Sequence, residues 1–174
     1  MLNHTNMKKS ITILLFTFCF MSLSFAQNIL TKADKTNYVT ATISDPKGSI
    51  PFKAAEVLCR NKNVGTKKGF TLGAFTKERY FTISIPQNPA VGIYKIEGNS
   101  LKAFADYYVK IGGLIGFKTG KCEGAVGTLE ITSVNEKKIK GKFSFTATQI
   151  VVPCSAPTTR NITNGVFEAT FINE

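Results

Sequence analysis

The sequence predicts an all-β domain, built as an antiparallel β-sandwich, and three observations lead to that prediction. Residues 137–149, KKIKGKFSFTATQ, alternate between apolar side chains and lysines or hydroxyls, which is the period of a strand with one buried and one solvated face. Runs of this kind recur between short clusters of Gly, Pro, Asn and Asp. No segment keeps the period of about 3.6 residues that an amphipathic helix requires. This pattern is typical of a sandwich, and an open antiparallel β-barrel is the alternative.

Roughly nine strands are predicted, each rich in β-branched or aromatic residues and bounded by turn-forming ones. A turn cluster, DPKGS, follows the first strand at residues 45–49, and a polar loop, NKNVGTKKG, follows the second at 61–69. The third and fourth strands form a hairpin around the TKE of residues 76–78. The predicted strands are 37–44, 52–60, 70–75, 79–85, 93–98, 102–112, 127–133, 139–148 and 165–172.

The C-terminal strands show the clearest alternation. Residues 127–133 and 139–148 form a predicted hairpin whose polar turn holds Asn135. The Asn164-Gly165 pair tolerates positive φ, so we expect a turn or bulge to begin the last strand there. The apolar side chains that alternate along these three strands should form one contiguous buried cluster: Leu129, Ile131, Phe143, Phe145, Phe167 and Phe171.

The first residues have the pattern of a secretory signal. Lys8 and Lys9 precede an apolar run that ends in Ser-Phe-Ala at 24–26, with small residues at the −3 and −1 positions of a cleavage site after Ala26. The run is shorter than the ~20 residues that span a bilayer, which argues against a membrane anchor. Phe18 stands where a lipoprotein signal needs a small residue before its cysteine, so a lipid anchor is not expected.

The predicted organisation is a signal peptide at 1–26, a flexible lead at 27–36 and a single β domain at 37–174. No later apolar segment is long enough to span a membrane. We therefore expect the protein to be exported, either to the periplasm or to the medium. The sequence pattern does not predict an oligomeric state.

Positive charge is the main bulk property of the chain. The formal net charge is +11, and the loss of Lys8 and Lys9 with the signal leaves +9. Such a charge suits nucleic acid, acidic glycans or anionic membranes. The lysines are nevertheless scattered, and arginine, the better reader of phosphates and bases, is sparse: Arg60, Arg79 and Arg160. We therefore expect a solvated basic surface and no nucleic-acid partner.

The residues left after cleavage exclude several chemistries. His4 is the single histidine of the sequence, and its loss with the signal excludes Ser-His-Asp and Cys-His catalysis and histidine metal ligands. We identify no catalytic residue, cofactor-binding residue or metal ligand, and we predict no cofactor. A glycosidase needs only two carboxylates, so a small hydrolase acting on glycan is the alternative function. Its candidate acids are Glu56, Glu78, Glu97, Asp106, Glu123, Glu130 and Glu168.

Two further groups of residues have competing interpretations. Gly112, Gly113 and Gly116 fit either a loop that approaches a ligand or, as we favour, a bulged or bent strand at a corner of a sheet. A set of aromatic residues fits either the lining of a pocket or, as we favour, ordinary core and rim. That set is Phe104, Tyr107, Tyr108 and Phe117.

The cysteines that remain after cleavage allow one disulfide. Cys59, Cys122 and Cys154 reach a compartment that favours disulfides. Cys122 precedes the strand that opens at Gly127, and Cys154 follows the end of the hairpin partner of that strand. We predict a Cys122–Cys154 disulfide, with Cys59 packed as a free thiol. Three unpaired cysteines are the alternative.

Part of the sequence resembles a known family. The segments VGIYKI (91–96), GTLEITSVNEKKIKGKFSFTA (127–147) and ITNGVFEATF (162–171) are similar to a family of exported Bacteroidetes-type proteins, a domain of unknown function. The resemblance implies an all-β fold and a place in the cell envelope, and it brings no known activity or catalytic residue. Most members resemble lipoproteins, whereas this chain lacks the lipid-acceptor cysteine at its cleavage site.

These observations together predict a non-enzymatic envelope or secreted binding module. Its partner would be an envelope protein, a glycan or a small apolar ligand. A packed interior with a shallow, lysine-rimmed face would favour this module. A deep pocket that holds two close acids would favour the hydrolase.

Overall fold

The computed structural model of the protein describes residues 36–45, 47–64, 67–98, 103–110 and 112–172. Within these ranges the chain forms eleven β-strands and no helix, so it offers no helical segment that would cross a membrane. The strands are β1 (Tyr38–Asp45), β2 (Gly48–Lys53), β3 (Glu56–Val64), β4 (Lys67–Phe75), β5 (Arg79–Pro86), β6 (Gly92–Ile96), β7 (Phe104–Lys110), β8 (Leu114–Lys118), β9 (Gly127–Val134), β10 (Lys138–Gln149) and β11 (Thr159–Ile172).

The two predicted N-terminal segments fall almost entirely outside the described residues. The signal peptide, 1–26, lies wholly outside them, and Thr36 is the one described residue of the lead, 27–36. The hydroxyl of Thr36 accepts a hydrogen bond of 3.0 Å from the ammonium of Lys138. Cleavage after Ala26 therefore stays a prediction.

The eleven strands form one large mixed sheet around a shared core, which is consistent with the predicted sandwich. Its pairings include two antiparallel runs, named here the first sheet, β2-β1-β11-β10-β9-β6, and the second sheet, β3-β4-β5-β7-β8. The long strands β10 and β11 join the two sheets at two corners. At one corner Phe171 and Ile172 pair in parallel with Cys59 and Arg60 of β3, and at the other the end of β10 pairs with β8. This continuous pairing explains why an open barrel is the closest alternative.

The core lies between the sheets and contains the predicted cluster. Five of its six members are buried: Leu129, Ile131, Phe143, Phe145 and Phe167. The sixth, Phe171, is partly buried and packs on Phe70, with ring centroids 4.5 Å apart. Phe81 of β5 contributes from the second sheet, with its ring centroid 5.2 Å from that of Phe143. The apolar parity of the C-terminal strands therefore faces inward, as predicted.

The opposite parity of β10 is a solvated face. Lys142 keeps 64% of its side chain exposed, 4.0 Å from the carboxylate of Glu130. The Glu168 carboxylate lies 2.9 Å from the ammonium of Lys140 and 3.1 Å from that of Lys138. These hydrogen bonds, led by that from Lys140, hold the pKa of Glu168 below its usual value. The lysines have carboxylate partners on neighbouring strands, so no ligand is needed to explain them.

The prediction of a single strand at 52–60 is wrong, because the chain changes sheet within this segment. β2 lies in the first sheet and β3 in the second. Between them, the Ala54 N–H donates to the carbonyl of Val39 in β1 at 2.9 Å, and the Ala55 N–H donates to the carbonyl of Phe75 in β4 at 2.8 Å. Two consecutive residues bond to different sheets, so the strand breaks at this point.

The polar loop predicted at 61–69 is also wrong. β3 continues to Val64 and β4 begins at Lys67, so most of this segment pairs across the β3–β4 hairpin. The hydrogen bonds of a ladder join backbone groups, and polar side chains therefore do not prevent pairing.

The glycine region forms a hairpin turn, in place of the bent strand that we favoured. Gly112 and Gly113 have φ values of 64° and 150°, which L side chains rarely adopt, and they connect β7 to β8. β8 itself is a strand that the sequence prediction missed, because its glycines resemble a loop.

The Asn164-Gly165 pair forms a bulge within β11 rather than the start of that strand. Asn164 has a φ of 52°, and the register between β10 and β11 shifts between Phe143 and Phe145. The ring of Phe143 lies against Gly165, where a Cβ atom would collide with it. The bulge therefore makes room for a core phenylalanine.

Candidate functional site

A groove lies between the end of β2 and the β4–β5 turn, which is the hairpin turn predicted around residues 76–78. It has a volume of about 370 Å³ and is lined by Pro51–Lys53 on one side and Thr76–Arg79 on the other. This volume is at the lower end of the range of small-ligand sites, about 300–1,000 Å³, and the groove is open to solvent along much of its surface.

Hydrogen bonds of the backbone fix both walls of the groove. On one side, the two bonds that carry the chain between sheets hold Ala54 and Ala55, directly after Lys53. On the other side, the Thr76 N–H donates to the Arg79 carbonyl at 2.7 Å, and the Thr76 hydroxyl accepts the Arg79 N–H at 2.9 Å. Walls that are already ordered lose little conformational entropy when a ligand binds.

Arg79 lies at the inner side of the groove. It shares the inward parity of Phe81, and 21% of its side chain is exposed. Its guanidinium lies near enough to the buried hydroxyl of Tyr107 to lower the pKa of that phenol, although burial raises this pKa more. At the surface, its Nη1 lies 3.4 Å from Oε2 of Glu78. The guanidinium therefore lies between a buried phenol and an exposed carboxylate at the groove.

Tyr107, the inner partner of Arg79, is a neutral phenol. The residue is 1% exposed, and burial raises its pKa, an effect that outweighs the lowering of the pKa by Arg79 and Arg160. A phenol that keeps its proton does not neutralise a guanidinium. The Arg79 guanidinium therefore meets an uncharged group on its inner side.

The groove has an excess of positive charge. Lys53, Lys77 and Arg79 line it together with one carboxylate, that of Glu78, whose side chain is 58% exposed. An exposed ion pair of this kind is weak. A guanidinium presents five N–H donors in a planar fork that matches carboxylate and phosphate groups. The arrangement can therefore bind an oxyanion through Arg79, with the two lysines adding charge.

The carboxylates considered for hydrolysis do not converge on this groove. Glu78 is the acid that lines it. Glu130 and Glu168 lie opposite lysines on the outer face of the first sheet, and Glu97 pairs with Lys95. In the described ranges, no group of three or more His, Cys, Asp or Glu side chains is placed to hold a metal ion. The remaining candidates lie in β3, in β7 and in the turn after β8: Glu56, Asp106 and Glu123.

The four aromatic residues considered as a pocket lining separate onto two faces. Tyr107 and Phe117 are buried between the sheets, with ring centroids 5.6 Å apart, and Phe104 is half-buried. Tyr108 lies on the outer face of the second sheet, where its ring stacks on that of Tyr80 at 4.7 Å. They share no pocket, because successive residues of a strand point to opposite faces.

The structure joins Cys122 to Cys154, with Cα atoms 5.6 Å apart, and leaves Cys59 as a buried thiol. Burial raises the pKa of Cys59 to about 12, which suppresses its reactive thiolate form. Beside the disulfide, the ammonium of Lys121 donates to three carbonyls at the end of β10 and in the loop after it: those of Gln149, Ile150 and Val152. Oxidation of the pair in the exported protein stays a prediction.

Sequence reasoning missed the groove. The charged turn of residues 76–79, TKER, was the available signal, but charged hairpin turns are common on protein surfaces. The turn lies opposite Lys53 because the chain changes sheet at Ala54. The sequence pattern did not predict this change, because two alanines also fit a continuous strand.

The comparisons with other proteins concern the domain as a whole. No curated protein and no solved structure matches the chain. A family model described as a domain of unknown function, DUF6252, matches residues 40–170, which include parts of all eleven strands. The match extends over both sheets and most of the sequence, and the chain therefore belongs to the DUF6252 family.

Proposed function

We propose that the protein is an exported, non-enzymatic binding module whose groove takes the anionic group of a ligand. Arg79 carries this proposal. Its partly buried guanidinium lies near the hydroxyl of Tyr107 and lines a groove of about 370 Å³ together with Lys53 and Lys77. Guanidinium groups in a fixed position bind carboxylate and phosphate with two parallel hydrogen bonds, so the geometry favours a planar or tetrahedral oxyanion.

The distribution of acids supports binding rather than hydrolysis. A carboxylate hydrolase needs two acids about 5–10 Å apart on either side of the bond that it breaks. Glu78 lines the groove beside Arg79, whereas Glu130 and Glu168 lie on the outer face of the first sheet. A single exposed acid next to an arginine is poorly suited to donate a proton.

Export is supported by the signal pattern of residues 1–26 and has its own test. We expect the mature protein from a native host to begin at Gln27 and to carry no lipid, because a Ser-Phe-Ala triplet precedes that residue. Intact-mass measurement gives the start of the mature chain. A mass that includes residues 1–26, or an added acyl chain, would contradict the expectation.

Replacing Arg79 by Gln should weaken anion binding by about 10- to 100-fold, since hydrogen bonds to charged groups contribute roughly 1.5–3 kcal/mol. The measurement is calorimetric titration of the mature protein with glucuronate and, separately, with inorganic phosphate. Gln keeps much of the length of Arg and removes its charge.

The matched control is Lys142→Gln, which removes the same charge from the outer face of the first sheet. We expect the control to bind within about twofold of the unmodified protein, because an exposed lysine contributes little at a distance. Equal weakening in both variants would show that the anions respond only to net charge, and the proposal would fail.

A further inference from the structure

Large apolar side chains are exposed together at one end of the second sheet. In the described part of the chain nine such side chains are exposed, and four of them lie here: Leu114, Ile115, Ile150 and Val151. The first two begin β8, at the turn of the β7–β8 hairpin, and the last two directly follow β10. We name these four residues the apolar tip. Single exposed apolar residues are ordinary, whereas a group of them marks a contact surface.

Contacts around Gly116 join the two halves of the apolar tip. The Ile150 N–H donates to the Gly116 carbonyl at 2.8 Å, directly beside Ile115. The Cδ1 atom of Ile150 lies over Gly116, where a Cβ atom of residue 116 would collide with it. The pairing of Gln149 with Phe117 continues this alignment into the β8–β10 ladder. The loop after β10 therefore lies against the start of β8, and the two segments form one surface.

The apolar tip adjoins the groove. The Lys110 N–H donates at 2.7 Å to the carbonyl of Glu78, which lines the groove, and Lys110 is the cross-strand partner of Leu114. One row of cross-strand partners also runs from Arg79 across β7 to Ile115. Partners in a row share one face of a sheet, and adjacent strands are about 4.8 Å apart. The backbone of Ile115 is therefore about 10 Å from that of Arg79.

The charges beside the apolar tip are mainly positive. Lys53, Lys77 and Arg79 line the groove with one acid, Glu78, and the exposed Lys110 lies between the groove and the tip. A bilayer with anionic lipids complements both features, because it offers phosphates to basic side chains and hydrocarbon to aliphatic ones. A soluble anion would leave the tip in water. A second copy of the chain would bring like charges together.

We propose that the apolar tip and the groove together dock the protein on a membrane that carries anionic lipids. The tip enters the interfacial layer of the bilayer, and the phosphate of a lipid headgroup is the anionic group that Arg79 binds. This inference rests on the proposed function, because it assigns the ligand of the same groove. It adds a separate set of residues, the apolar tip, that a soluble anion does not need.

The experiment is sedimentation of the mature protein with two kinds of vesicle: phosphatidylcholine and phosphatidylglycerol in equal parts, and phosphatidylcholine alone. We expect saturable binding to the mixed vesicles only, which weakens as salt screens the charges. The double variant Leu114→Ser/Val151→Ser should bind the mixed vesicles at least about tenfold more weakly, because it loses apolar area that enters the bilayer. Arg79→Gln should bind them about fivefold more weakly, because it loses one charge at the anionic surface.

The matched control for the tip variant is Val91→Ser/Ile93→Ser. Leu114 and Val151 are 61% and 83% exposed, and Val91 and Ile93 are 65% and 76% exposed. The control residues lie at β6, the edge strand of the first sheet. We expect the control to bind mixed vesicles within about twofold of the unmodified protein, since its apolar side chains stay in water. Both double variants should keep the affinity for glucuronate, which also shows that they are folded.

The same measurements separate the two proposals. Membrane docking is refuted if no vesicle binds, if phosphatidylcholine alone binds as tightly, or if the tip and control variants bind equally. It is also refuted if Arg79→Gln keeps full vesicle binding, or if the protein forms a dimer that the tip variant loses while no vesicle binds. In each case the groove proposal stands as long as glucuronate binds through Arg79. If glucuronate does not bind, or binds equally to Arg79→Gln, both proposals fail.

Discussion

Replacing Phe145 by Ala should lower the free energy of unfolding by about 3–5 kcal/mol, the usual range for a phenylalanine removed from a core. Phe145 is 3% exposed, and its ring centroid lies 6.2 Å from those of Phe81 and Phe143. Phe81 belongs to the second sheet, so the substitution leaves a cavity where the two sheets meet. Chemical denaturation of the mature protein measures the loss.

Lys142→Ala is the control for this assignment of faces. The residue is three positions before Phe145, on the opposite parity of the same strand, and we expect its loss to change stability by no more than about 0.5 kcal/mol. A larger loss in Lys142→Ala than in Phe145→Ala would mean that the inward and outward faces of β10 are reversed.

Loss of the Cys122–Cys154 bond should cost on the order of 3.5 kcal/mol, from the chain-entropy estimate for a loop of this length. The two residues are separated by 32 positions, and their bond closes a loop that includes β9 and β10. The measurement is denaturation of the mature protein, oxidised and with reductant, with a Cys122→Ser/Cys154→Ser double variant that should match the reduced protein.

Cys59 provides the internal control for the disulfide. Because it is buried, it should resist alkylation in the folded protein and react after unfolding. Identical unfolding with and without reductant, or a peptide map with a crosslink through Cys59, would contradict the pairing.

The C-terminal strands were predictable because their sequence encodes burial directly. Ile139, Phe143 and Phe145 are buried, while Lys140 and Lys142 are exposed, so the alternation in the sequence is also the alternation between core and solvent. A shift of one residue in register would exchange the two faces, and the strong contrast between them fixes the register.

The N-terminal half was less predictable because its structure depends on contacts distant in sequence. The change of sheet at Ala54 and Ala55 follows from bonds to Val39 and Phe75, and alanine carries no local signal for such a break. The same contacts bring β2 close to the β4–β5 turn. The sequence therefore predicted neither the groove nor the strand boundary at Ala54, because both depend on these distant contacts.

The disulfide could be predicted from the sequence, whereas the groove could not, because the groove depends on the order of the strands. Cys122 and Cys154 flank one hairpin, so counting residues along two paired strands is enough to bring them together. Lys53 and Arg79 belong to different sheets, and only the order of the strands places them on the two sides of one groove.

Binding of an anionic group at Arg79 can be measured by titrating the ¹⁵N-labelled mature protein with glucuronate and following its amide resonances. We expect saturable shifts concentrated at residues 53–55 and 76–79, with one dissociation constant for all of them and no such shifts in Arg79→Gln. Weak shifts spread over the lysines of both sheets, without saturation, would contradict it.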